Sequence, residues 1–225
     1  MQRASHFFSE AQRQQIEQAV HAAEAKTACE IVPVVATASG RYDRPEDIVG
    51  LWLAVLAAVA VWLAFPRVSA EPGSWDDGSF YLGLLTLIVA IVAAFFLGAV
   101  LASRIGWLRR LFTPRRQMHD EVTAQARQAF FDRRVHHTTD STGLLIYLSL
   151  HEHIAVLLGD QQVVEKLGQP ALDDLCRQLT QALHQGDPTT ALCQTITEAG
   201  TRLAAVLPRE PGDVNQLKDT LVLMD

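Results

Sequence analysis

The chain has 225 residues, 49% of them hydrophobic and 20% charged, with a net charge of −6 at neutral pH. That length and apolar content suit one or two domains with a real core. The negative balance excludes a general nucleic-acid binder, which needs a basic surface to neutralise phosphates. Cys29, Cys176 and Cys193 are too widely spaced for a zinc knuckle and odd in number for a disulfide framework. They read as reduced, mostly buried thiols, with nothing that marks an activated nucleophile.

Ser9 followed by EAQRQQIEQAVHAAEAKT predicts a capped amphipathic helix, with Ile16, Ala19, Val20 and Ala23 on one face. EIVPVVATA, residues 30–38, predicts a strand. Pro33 cannot donate a ladder hydrogen bond, so this strand is expected at a sheet edge or bulged there. One helix and one strand cannot close a core. No apolar segment behind a basic start precedes residue 47, so no signal peptide is read, and the first apolar run is expected to serve as its own insertion signal.

Two uncharged runs follow: IVGLWLAVLAAVAVWLAFP from Ile48 to Pro66, and GSFYLGLLTLIVAIVAAFFLGAVLAS from Gly78 to Ser103. About 20 apolar residues in helical form cross a bilayer core, and a buried helix of a soluble protein would show a polar stripe that neither run has. The sequence therefore predicts a transmembrane hairpin with spans at about 48–66 and 79–103. Trp52, Trp62, Trp75, Phe80, Tyr81 and Trp107 lie in or near the run ends, as interfacial aromatics do. After the second run come Arg104, Arg109, Arg110, Arg115 and Arg116 with no acidic residue among them, while the connecting segment sets Arg67 against Glu71, Asp76 and Asp77. This asymmetry predicts a two-span membrane protein with both termini cytoplasmic, and the arginines facing anionic lipid headgroups.

Beyond the hairpin, Gln117 to Val135 has helical spacing at Val122, Ala126, Ala129 and Phe130. HHTTDSTG is a polar loop, in which His136 and His137 read as solvated, and LLIYLSL (144–150) and IAVLL (154–158) read as short strands. Helices are expected around Gln162 to Lys166, Pro170 to His184 and Thr189 to Val206, before a polar tail containing PREPGDVNQL. The pattern predicts a layered α/β or α+β domain, a small sheet flanked by helices, split into 1–47 and 104–225 by the hairpin at 48–103.

FFSEAQRQQIEQAVHAAEAKTACEIVPVV, TGLLIYLSLHEHIAVLLGD, and the late AGTRLAAVLP and DVNQL together resemble the TPM domain family of thylakoid-lumen, photosystem and receptor-associated proteins, over about residues 5–40 and 117–219. The resemblance rests on order and pattern rather than on a catalytic signature. It implies an α/β/α sandwich, often membrane-tethered, with calcium binding or acid phosphatase activity in plant members and interaction or repair roles in others. This chain differs from the common secreted form in carrying its spans inside the domain.

HEHIAVLLGD, residues 151–160, contains the candidate chemistry. On a strand, His151 and His153 would share a face and suit zinc or copper, but further ligands at recognisable spacing are missing and HEH is not the HExxH motif. Two apolar strands separated by three polar residues also describe an antiparallel hairpin, the favoured reading. Asp160 stands past a strand, beside a glycine and before a helix, where it reads either as a helix N-cap or as a ligand at the sheet edge. Glu30 and Asp140 would join it as hard oxygen ligands for a divalent cation, calcium or magnesium; the plain alternative for Glu30 is a surface charge or ion pair. Walker, GxSxG and aspartyl-phosphate motifs are all missing. The expected function is thus a membrane-anchored interaction or scaffold module with the bilayer and another membrane or membrane-associated protein as partners. The alternative is a divalent-metal-dependent phosphoester hydrolase, which rests on the family resemblance.

Overall fold

Ser9 starts the first long helix as its sequence predicts. Its Oγ accepts the Gln12 N–H at 3.4 Å and the Gln12 side chain returns to the Ser9 N–H at 2.9 Å, a capping box. In the computed structural model, which describes residues 3–40, 44–64, 78–104, 114–138, 141–209, 217 and 220–225, this helix is α2 (Glu10–Glu24), preceded by a single turn, α1 (Ala4–Phe7). There follow β1 (Glu30–Ala36), the apolar helices α3 (Arg44–Ala64) and α4 (Gly78–Arg104), α5 (Arg115–Asp132), β2 (Gly143–Ser149), β3 (Ile154–Gly159), α6 (Gln161–Leu167), α7 (Gln169–Gln185), α8 (Pro188–Val206) and β4 (Val222–Met224). Two units result: residues 1–40 with 116–225, and residues 41–115.

The first unit is an α/β sandwich around a mixed four-stranded sheet in the order β3-β2-β1-β4. β1 runs parallel to β2 and to β4, while β2 and β3 form an antiparallel hairpin. Strand alternation sends Ile31, Val35, Leu144, Ile146 and Leu148 into a core with α2, α7 and α8, where they meet Ile16, Val20, Leu175, Leu179, Leu192 and Ile196. Val32, Val34, Leu145 and Tyr147 point the other way, onto Val122, Ala126, Ala129 and Phe130 of α5. Each strand of the parallel pair is buried along its whole length, which is why both read as apolar runs rather than alternating ones.

Pro33 is tolerated for a reason that corrects its assignment to an edge strand. β1 lies inside the sheet, paired to β2 along its full length, but β4 covers it only from Val34 to Ala36. The Glu30 N–H points to β2, on Thr142 O at 3.2 Å, so the odd-numbered N–H groups of β1 face the other side. There Thr37 N–H reaches Met224 O at 2.8 Å and Ile31 N–H reaches Glu24 Oε1 at 2.7 Å. Pro33 falls between these two, where no strand asks for a donor.

The opposite edge, β3, is closed by a thiol. Cys176 on α7 donates to Ala155 O at 3.2 Å, an outward-facing carbonyl of this edge strand. Burial pushes this thiol up, so it keeps the proton that it donates to the strand edge.

α5 ends in a Schellman motif. Val135 N–H bonds Phe130 O at 3.0 Å and Arg134 N–H bonds Phe131 O at 3.0 Å, which puts Arg134 at the left-handed position with φ 56°. Glycine is the usual residue there, since a Cβ in that conformation costs on the order of 1 kcal/mol. Val135 then crosses β2 so closely that a Cβ on Gly143 would lie 2.1 Å from its carbonyl oxygen.

In the second unit, α3 and α4 each contain a stretch long and apolar enough to cross a membrane, Asp47–Ala64 and Tyr81–Arg104, by length and composition. Leu51, Trp52, Trp62, Leu63, Tyr81, Leu85 and Phe96 are exposed on them. The helices pack on each other through glycine: a Cβ on Gly98 would lie 2.8 Å from Gly50 Cα, and one on Gly50 would lie 2.9 Å from Phe95 O. Close backbone approach of this kind is how apolar helices associate when the surroundings are equally apolar. Gly98→Leu is therefore expected to weaken the pair by about 1–3 kcal/mol, the usual cost of overpacking. Cysteine cross-linking between the two helices in detergent micelles is expected to show a lower yield than wild type, and an equal yield would disprove the glycine contact.

Candidate functional site

Glu30 and Asp160 are brought to the same end of the sheet. Glu30 begins β1 opposite Gly143 of β2, and the Asp160 N–H bonds Gly143 O at 2.8 Å, so the three residues form a row across three strands. Glu30 is buried and its Oε2 accepts the Leu217 N–H at 3.3 Å, so it is no surface charge. Asp160 N-caps α6, with Oδ1 on the Gln161 N–H at 2.8 Å. Its Oδ2 is buried without a hydrogen-bond partner. Asp140 lies outside the described residues. Beneath the row sits Cys29, fully buried, with its thiol pushed well up first by burial and then by the charges of Glu24, Glu30 and Asp160. A neutral thiol ringed by carboxylates is neither a nucleophile nor a ready metal ligand. Among the described residues no group of three His, Cys, Asp or Glu side chains is arranged to hold a metal ion. The row supplies two carboxylates, and a hard cation there would need donors beyond them.

The other end of the sheet holds a second polar constellation that the sequence did not announce. Residues 150–153 form the turn between β2 and β3, with His153 exposed and left-handed at φ 55°, so HEH is a hairpin tip. Its glutamate, however, is not a solvated turn residue. Glu152 is 2% exposed, and its Oε1 accepts the Ser39 N–H at 2.9 Å and the Gly40 N–H at 3.2 Å, while Oε2 takes a short hydrogen bond from Ser149. Ser39 Oγ lies 3.0 Å from both the Tyr147 hydroxyl and Ser149 Oγ, completing a buried chain of hydroxyls that ends on the carboxylate. Burial holds the Tyr147 phenol above its ordinary value, helped by the Glu152 charge and opposed by the Ser39 bond. Glu152 thereby fixes the backbone of residues 39–40, the last of the first unit before the apolar helices.

Beside it, the Asp225 side chain ties three elements together. It accepts from the Ser5 N–H at 3.0 Å, Ser5 Oγ at 2.6 Å and Thr37 Oγ1 at 3.1 Å, and Thr37 Oγ1 accepts the Ala4 N–H at 2.7 Å. The two Ser5 bonds hold this carboxyl below its usual range. A carboxylate with a lowered folded pKa stabilises the fold above its unfolded pKa, and that contribution is lost as pH falls through the folded value. Asp225→Asn is accordingly expected to lower the denaturant midpoint at neutral pH, with the gap to wild type closing in acid. A gap that does not depend on pH would refute the ionised latch.

Fold and sites together define an α/β sandwich that carries two membrane-length helices between its first two strands. No family model matches this chain, and no curated protein matches it. Among solved structures it is similar to the NMR structure of the BA42 protein from the psychrophilic bacterium Bizionia argentinensis, at a TM-score of 0.56 and 15% identity over 96% of this chain and 94% of that one. At that identity the likeness shows a shared fold.

Proposed function

We propose that the chain is a membrane-anchored, TPM-like interaction or scaffold module at the cytoplasmic face of the bacterial inner membrane. The observation that carries this is the place of the helices. α3 and α4 enter the chain directly after β1, the strand paired on both sides, so the sandwich cannot fold without bringing both ends of the hairpin with it. Insertion of the pair anchors the sandwich at two points, which suits a platform better than a freely tethered domain. Orientation rests on charge: arginines at 104, 109, 110, 115 and 116 follow the second helix, while Glu71, Asp76 and Asp77 stand between the two. Affinity capture from detergent-solubilised membranes, with residues 41–115 alone as the control bait, tests the reading. A membrane protein retained by the full chain and lost by the helices alone is expected, and identical captures sink it. Reporters at either terminus are expected to read out cytoplasm.

A second reading is favoured by the unpartnered Asp160 Oδ2 beside buried Glu30: a divalent-metal-dependent phosphoester hydrolase, with Asp140 as a further ligand. Calorimetric titration of the metal-free protein with calcium or magnesium decides it, since binding that survives Glu30→Gln and Asp160→Asn removes the site.

A further inference from the structure

Residues 131–137, the turn from α5 toward β2, read FDRRVHH. Phe131 is 61% exposed, the one aromatic so exposed in the first unit among the described residues. The His136 ring lies 4.9 Å from it, His137 is the next ring along at 6.2 Å, and Arg133 and Arg134 are exposed beside them. Among the described residues Arg133 and Arg134 make no ion pair, as is also true of Arg116 and Arg127. Arg134 also occupies the Schellman position that glycine fills best, at φ 56°. Ser141 and His153 share this left-handed backbone, so the conformation only makes glycine at 134 a replacement that the fold accepts.

We propose that this turn docks an acidic segment of a partner protein, one that carries an aromatic or apolar side chain among its carboxylates. The guanidinium forks of Arg133 and Arg134 suit bidentate carboxylate recognition, and the Phe131–His136 pair offers a ring face beside them. A lipid or nucleic-acid surface is disfavoured, because polybasic attraction to headgroups takes clusters of four or more cations and here Asp132 stands beside only two arginines. The inference rests on the interaction-module reading and names the chemistry of its partner.

The test uses the full chain in phosphatidylcholine nanodiscs and a fluorescein-labelled Glu/Asp-rich peptide containing one tryptophan, read by anisotropy. Binding that weakens with salt is expected, and F131A and the double variant R133Q/R134Q are each expected to weaken it about tenfold or more. The same peptide with Gln and Asn in place of its acids is expected not to bind. R134G separates docking from folding: it is expected to raise the denaturant midpoint while weakening the peptide, and a lowered midpoint would mean that Arg134 serves the fold. Peptide binding unchanged in these variants overturns the proposal. So does attachment to phosphatidylglycerol vesicles that depends on the same residues while the peptide does not bind. If the R133Q/R134Q protein still captures the membrane partner of the wild type, this surface is wrong and the interaction module stands; if the wild type captures none, the module itself fails.

Discussion

Glu152→Ala is expected to lower the unfolding free energy by about 2–5 kcal/mol, because it leaves the Ser39 and Gly40 N–H groups and the Ser149 hydroxyl without their acceptor in a buried site. Hydrogen exchange of the buried β2 amides in the full chain in detergent, followed against denaturant concentration, measures it. Hydrogen exchange supplies the local signature: the Ser39 and Gly40 amides are expected to lose protection while the β1 amides keep theirs. Glu152→Gln retains one carbonyl acceptor, so a smaller loss is expected. His153→Asn, one residue away, is expected to be neutral or slightly stabilising, since His153 is exposed and asparagine accepts a left-handed backbone more readily. Equal effects at 152 and 153 would show that the tip is solvated throughout and that Glu152 clamps nothing.

The second large effect concerns the division of the sandwich by the apolar helices. Joining Arg41 to Pro114 through a short Gly/Ser linker, with residues 42–113 removed, is expected to give a soluble protein that unfolds cooperatively. Residues 115–225 alone are expected to aggregate. That fragment lacks β1, the strand between β2 and β4, and with it Ile31, Val32, Val34 and Val35, together with Ile16 and Val20 of α2. Each such side chain contributes about 1.5–3 kcal/mol when buried, and a whole domain is stable by only about 5–15 kcal/mol. β2 would also present a bare edge where β1 had paired. A cooperative transition in the fragment, at a midpoint equal to that of the joined protein, would show that residues 1–40 are no part of this core.

Much of this architecture was legible because it is written in short-range pattern. The Ser9–Gln12 capping box, the helical spacing of Val122, Ala126 and Ala129, and the apolar runs of β1 and β2 all report interactions within one element or with one face of it. Two elements escaped. α1 is a single turn, and β4 has three residues in a tail of mixed polarity, too few for any period to register. The carboxylate sites divide in the same way. Asp160 as an N-cap follows from its neighbours in the chain, while the burial of Glu30 against Leu217 depends on a segment 187 residues away.

Local chemistry thus established the helices, the strands of the main sheet, and two segments apolar enough for a bilayer, because periodicity and hydropathy depend on residues close in the chain. Packing established the rest. Pro33 sits in an interior strand because β4 stops one residue short of it, and β4 is placed by Asp225 bonding Ser5 and Thr37 from far along the chain. Glu152 looked like a turn residue until the end of β1 folded over the hairpin tip and drew the carboxylate under Ser39 and Gly40. A charged side chain is buried or solvated according to which donors arrive from distant segments, and one-dimensional pattern holds no record of that arrival.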